Sequence, residues 1–192
     1  MINTVAECGV QEINGVPTGT FTDLTSARYC TNDDSAPGLV NPIPIPVAGF
    51  NYSFWKSHVL VMSGTFTQIG NIRWYTDGTI QWSGGTSGVL HVGKTFSGDY
   101  GANISSNYTQ ASGTVGITGW FMISGHSLYQ LSGMTTVLAT SSVVGNPYVI
   151  DSNSYMNEGA RSKAVVTQMA VDTNAIQGTK PAETITFRYD EI

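Results

Sequence analysis

The chain has 192 residues, a formal net charge of −5 and a charged fraction of 11%, against about 25% for an ordinary soluble domain. Eight Lys and Arg against thirteen Asp and Glu leave no basic footprint of the kind a phosphate backbone requires, so nucleic acid is excluded as an expected partner. No apolar run reaches the roughly 18 residues of a membrane-spanning helix, and no membrane is expected either.

In chain order, the opening stretch MINTVAECGVQEING lacks the basic start and apolar core of a secretory signal. Any extracellular location is therefore expected to be reached by another route. Residues 1–48 read as an irregular, Pro/Asn/Asp-rich arm or strap, and residues 49–192 as the folded domain. Cys8 and Cys30 fall in the arm. A bond between them would close an amino-terminal loop and contribute roughly 3 kcal/mol; the spacing leaves a disulfide and two separate thiols equally open. Two cysteines without a nearby His pair do not complete a zinc shell. The arm ends in NPIPIPVAGF, where Pro42, Pro44 and Pro46 fix φ and remove amide donors. Such a strap cannot be a central strand. It lies along the domain edge, or it reaches a neighbouring subunit as an assembly arm.

From residue 51 onward, short alternating or apolar runs recur between turn residues. YSFWKSHVLVMSGTF, NIRWY, TIQW, GVLHV, TGWFMIS, TTVLAT, PYVID, SKAVVTQMAV and ETITFRYDE all read as strands. Helical spacing persists nowhere, and SVVGNPYVIDSNSYMNEGARS is the single stretch in which a short helix could sit. The fold class expected is all-β: an antiparallel β-sandwich, immunoglobulin-like or jelly-roll-like, with an extended irregular amino-terminal segment. Asp77-Gly78 inside NIRWYTDGTIQW predicts a two-residue hairpin with Trp74 facing Gln81 and Arg73 facing Trp82. The two tryptophans then lie on opposite faces, one in the core and the other beneath the Arg73 guanidinium. At the carboxy end, Val165, Thr167, Met169 and Val171 share a face. Ile185, Phe187 and Tyr189 share another, expected to look inward, and the two runs are expected to pair.

Few motifs carry chemistry. GVLHVGKT at 88–95 matches the Walker A letters, but Val-Leu-His-Val is strand-like and no long helix follows, so a phosphate loop is not expected. His58, His91 and His126 are scattered singly, without metal-ligand spacing, and read as surface or turn residues. Ser124 lacks the glycine frame of a nucleophile elbow. Asp77, Asp99 and Asp172 read as turn residues. An acid pair of Asp151 with Glu158 has nothing to recommend it. The acceptor patterns at Asn51, Asn103 and Asn107 are as many as chance supplies in a chain this rich in Asn, Ser and Thr. No cofactor, metal or catalytic residue is expected.

The segment 162–192, SKAVVTQMAVDTNAIQGTKPAETITFRYDEI, resembles the last two strands of immunoglobulin-like and related sandwich domains in virion structural proteins of tailed viruses. In both, a valine-rich strand leads through an Ala and Gly connector, here Ala175 and Gly178, into a strand ending in an aromatic and an acid. Here Phe187, Tyr189 and Glu191 hold those positions. The resemblance covers about a sixth of the chain. It implies a capsid-surface, decoration, minor capsid or tail-associated protein of the virion, assembled in the host cytoplasm, whose partners are its own copies and other virion proteins. It brings no catalytic residues. The alternative is a carbohydrate-binding or adhesion module on a cell surface, with Trp55, Trp74, Trp82 and Trp120 as glycan or partner contacts.

Overall fold

The computed structural model describes residues 5–14, 20–31, 40–53, 56–76, 88–94, 132–136, 144–178, 182 and 184–192. Among these there are strands and no helix, and every strand pairing is antiparallel. The large sheet contains β2 (Gly9–Asn14), β3 (Thr20–Asp23), β4 (Phe50–Tyr52), β5 (Lys56–Val61), β8 (Gly88–Lys94), β9 (Ser132–Thr136) and β11 (Val165–Asp172). Its order is β3-β2-β5-β11-β8-β9, with β4 beside β5 on the same edge of β11. A three-stranded sheet sets β7 (Ile69–Thr76) between β10 (Tyr148–Tyr155) and β12 (Ile185–Glu191), while β1 (Val5–Ala6) pairs with β6 (Gly64–Thr65).

The core joins the two larger sheets. Leu60, Val165 and Met169 come from one, Ile69, Ile72, Trp74 and Ile150 from the other, and Met62 follows β5. Ile185, Phe187 and Tyr189 pack against this cluster, and on the opposite face Arg188 is exposed while Thr186 is half-buried. Trp74 is fully buried; removing about 150–250 Å² of such a ring from water is worth roughly 4–6 kcal/mol. Ile69 and Ile72 are three residues apart, a spacing that would send them to opposite faces of a regular strand. Asn71 resolves the conflict: at φ 50° it forms a bulge, so that Gly70 faces Asp190 while Arg73 faces Arg188. One residue is absorbed and both isoleucines stay inside.

Several expectations are corrected. The first 48 residues are not irregular throughout: β2 pairs with β5 over Gly9–Ile13, and β3 extends that sheet. The Val10–Glu12–Asn14 face carries too few apolar residues to announce a strand, yet β5 offers it a partner. The 88–94 stretch, by contrast, is the strand its residues suggest, paired along its length with β11. Residues 148–155, inside the segment singled out for a short helix, form β10. The runs 165–172 and 185–191 do not pair with each other, because β11 belongs to the large sheet and β12 to the small one. The expected hairpin register also fails. Trp74 faces Tyr148 on one side and Phe187 on the other, and Arg73 faces Val149 and Arg188, so both edges of β7 are already taken there. Residues 77–82 lie outside the described residues.

Candidate functional site

The Pro-rich strap is described from Val40 onward, and its geometry follows from where its few anchors sit. Asn41 is left-handed at φ 52°, and its carbonyl accepts hydrogen bonds from the Thr31 amide at 2.9 Å and the Thr31 hydroxyl at 3.2 Å. Ile43 packs against the core, Pro46 is buried, and the Asn51 amide donates to the Pro44 carbonyl at 2.6 Å. Gly49, at φ 68°, then turns the chain into β4. The described part of the strap thus lies along its own domain. Pro42 and Pro44 are exposed, and so are three apolar residues of the strap: Val40 is 60% exposed, Ile45 40% and Val47 98%. Pro42, Pro44 and Pro46 stiffen the backbone between the first and last of this row, so presenting it costs less conformational entropy.

The other predicted site residues are spread out. Trp74 is in the core, where it can stack on no ligand; its indole N–H has no hydrogen-bond partner among the described residues. Trp55, Trp82 and Trp120 lie outside the described residues. Cys8 is half-buried and Cys30 buried, and each remains a thiol rather than half of a disulfide. The Arg73 guanidinium pairs with Asp190 and donates to the Asn71 carbonyl, and Trp82, the ring expected beneath it, lies outside the described residues. A cation–π contact is formed elsewhere, by Arg161 over Phe21, 4.4 Å from the ring centroid.

Sequence reasoning missed the main ionic cluster. Glu12 on β2 accepts from Lys56 Nζ at 2.8 Å and sits 3.1 Å from His58 Nε2, and all three side chains are buried. An ionised carboxylate only accepts, so His58 donates from Nε2. His58 was expected at the surface; instead it stands directly opposite Glu12 in the β2–β5 ladder. Burial alone would raise the Glu12 pKa, but the hydrogen bond and charge of His58, followed by those of Lys56, outweigh it and leave the carboxyl below its ordinary value. Over the cluster, the Tyr29 hydroxyl donates to Thr167 at 2.8 Å, and Thr167 donates to the Lys56 carbonyl at 3.3 Å. Acid, base and amine therefore meet, but with 0–3% exposure no substrate reaches them. The arrangement fastens β2 to β5.

Asp151 is likewise buried and engaged, accepting from the Tyr155 hydroxyl at 2.6 Å and from the amides of Lys163 and Asn153 at 2.8 and 2.9 Å. Glu158 is exposed in the turn beyond β10. Asp172 Oδ1 accepts from the Asn174 amide at 2.8 Å, the turn role its sequence suggests. Asn51, one of the three acceptor patterns, is buried. Among the described residues no group of three or more His, Cys, Asp and Glu converges on a metal position. His126, Ser124, Asp77, Asp99, Asn103 and Asn107 lie outside the described residues, as does the side chain of His91. Comparison with protein families, curated proteins and solved structures finds no match for this chain.

Proposed function

We propose that the chain is a non-enzymatic structural subunit of a virus particle, a β-sandwich whose apolar strap binds a neighbouring copy. A core lined by residues of both larger sheets supports the sandwich. The observation that carries the function is the row of Val40, Ile45 and Val47, held outward on a rigid strap in a chain that is short of charge. Covering apolar side chains that stand in water is worth about 25 cal/mol for each Å², and a preorganised backbone lowers the ordering cost that association sets against it. The low charged fraction and the resemblance over residues 162–192 add the virion setting. Its work is contact rather than bond chemistry, with partners drawn from its own copies and other virion proteins.

The test is the mass of the native protein by light scattering across a concentration series, for the wild type and for Ile45→Asp/Val47→Asp. The wild type is expected to form a defined oligomer, and the double variant to be a folded monomer. A wild type that stays monomeric throughout and is missing from particles overturns the reading.

A further inference from the structure

The outer face of the three-stranded sheet carries an arrangement that assembly does not explain. Arg73 on β7 and Arg188 on β12 are directly opposite one another, although like charges in that relation destabilise a sheet. The Asn71 bulge sends the Asn71 amide to Asp190 Oδ2 at 2.7 Å, and Asp190 Oδ1 pairs with Arg73. Asp190 is held below its ordinary pKa by the Asn71 hydrogen bond first and by Arg73 and Arg188 after it, so it stays ionised. One carboxylate therefore faces two guanidinium groups. Arg73 is fixed, with its Nε on the Asn71 carbonyl, whereas Arg188 is exposed and has no hydrogen-bond partner among the described residues. One rung along the same face, Tyr75 stands opposite Thr186, and Val149 flanks Arg73 from β10.

The geometry points to a binding site for a carboxylate-bearing saccharide on this face, with Arg188 gripping the carboxylate, Arg73 and Asn71 framing it, and Tyr75 and Thr186 meeting the ring and its hydroxyls. A guanidinium fork matches one carboxylate in two parallel hydrogen bonds. A single open arginine suits one acidic sugar better than an acidic peptide, which needs a run of cations. This site stands whether or not the strap assembles copies.

The test is titration of the full chain, followed by the amide resonances of residues 71–75 and 186–190, with three probes: a glucuronate-containing oligosaccharide, a neutral oligosaccharide of equal length and a polyglutamate peptide. The acidic oligosaccharide is expected to shift these resonances, and the neutral one to leave them in place. Arg188→Gln, at an exposed position, is expected to weaken binding by about tenfold or more. Asp190→Asn is expected to tighten it, because the internal competitor for the guanidinium groups is gone. No shift with the acidic oligosaccharide at millimolar concentration overturns the proposal, and so does Arg188→Gln binding as the wild type does. An equal response to polyglutamate assigns the face to an acidic protein partner and overturns the saccharide.

Discussion

Removing Glu12 is a different experiment from removing the whole cluster it belongs to. Glu12→Ala leaves Lys56 buried without its carboxylate and is expected to cost about 3–5 kcal/mol in urea unfolding. Glu12→Leu with Lys56→Met and His58→Leu, the Leu/Met variant, removes all three polar groups and is expected to fall within about 1 kcal/mol of the wild type or above it. Acid acts on the same group. Because the folded-state pKa of Glu12 is lowered, its contribution is complete above the unfolded value, about 4.3, and disappears as pH falls through the folded one. Denaturation midpoints measured from pH 7 down to 3 are therefore expected to fall below about pH 5, and to do so less steeply in the Leu/Met variant. At the alkaline end the sign reverses. Burial, then Cys8, pushes the Tyr189 pKa up to about 12, and burial raises Tyr29 and Tyr148 as well. Their neutral forms stabilise the fold, which is expected to weaken as pH climbs past about 10, with tyrosinate absorbance rising together with unfolding. None of this cluster was legible in the sequence: Glu12 meets Lys56 and His58 only because β2 pairs with β5, and the sequence reads that region as irregular.

At the level of strands, two serines do the same work at two interruptions. The Ser53 amide donates to the Met169 carbonyl at 2.9 Å and the Ser53 hydroxyl accepts from the Met169 amide at 3.0 Å. Ser162 and Leu60 repeat the pattern at 2.9 and 3.0 Å. In each case a hydroxyl stands in for a peptide carbonyl where the ladder would otherwise break. Ser53→Ala and Ser162→Ala each leave a buried amide without its acceptor, and each is expected to lose about 1–3 kcal/mol in chemical denaturation. Single strands were legible wherever residues alternate, as in β12 or in the Val165, Thr167, Met169 face of β11. Breaks and bulges were not. The run YSFWKSHVLV reads as one strand, and nothing in its pattern marks the interruption between β4 and β5. The parity change at Asn71 is equally hidden, since it shows only once Ile69 and Ile72 are both found inside.

For the whole molecule, composition and periodicity were enough to reach the all-strand character that the described residues show, because turn residues at short spacing and scarce helical patterning are local properties. Pairing was not readable, since adjacent runs such as β11 and β12 separate into different sheets and sequence order says little about which edges meet. The apolar row on the strap was half legible: the prolines announced its stiffness, and the structure shows which side chains turn outward. Long-range pairing also has a kinetic reading. Topologies ruled by distant contacts fold in about milliseconds to seconds, and stopped-flow refolding followed through the buried Trp74 indole is expected to fall there rather than in microseconds. β11 has a particular place in this, for β4, β5 and β8 all lean on it. A nascent polypeptide on the ribosome carries those three ribbons with bare edges until residues 165–172 emerge, and in that interval it is exposed to sticking to its neighbours. A fragment halted before Val165 should therefore precipitate where the full chain stays in solution.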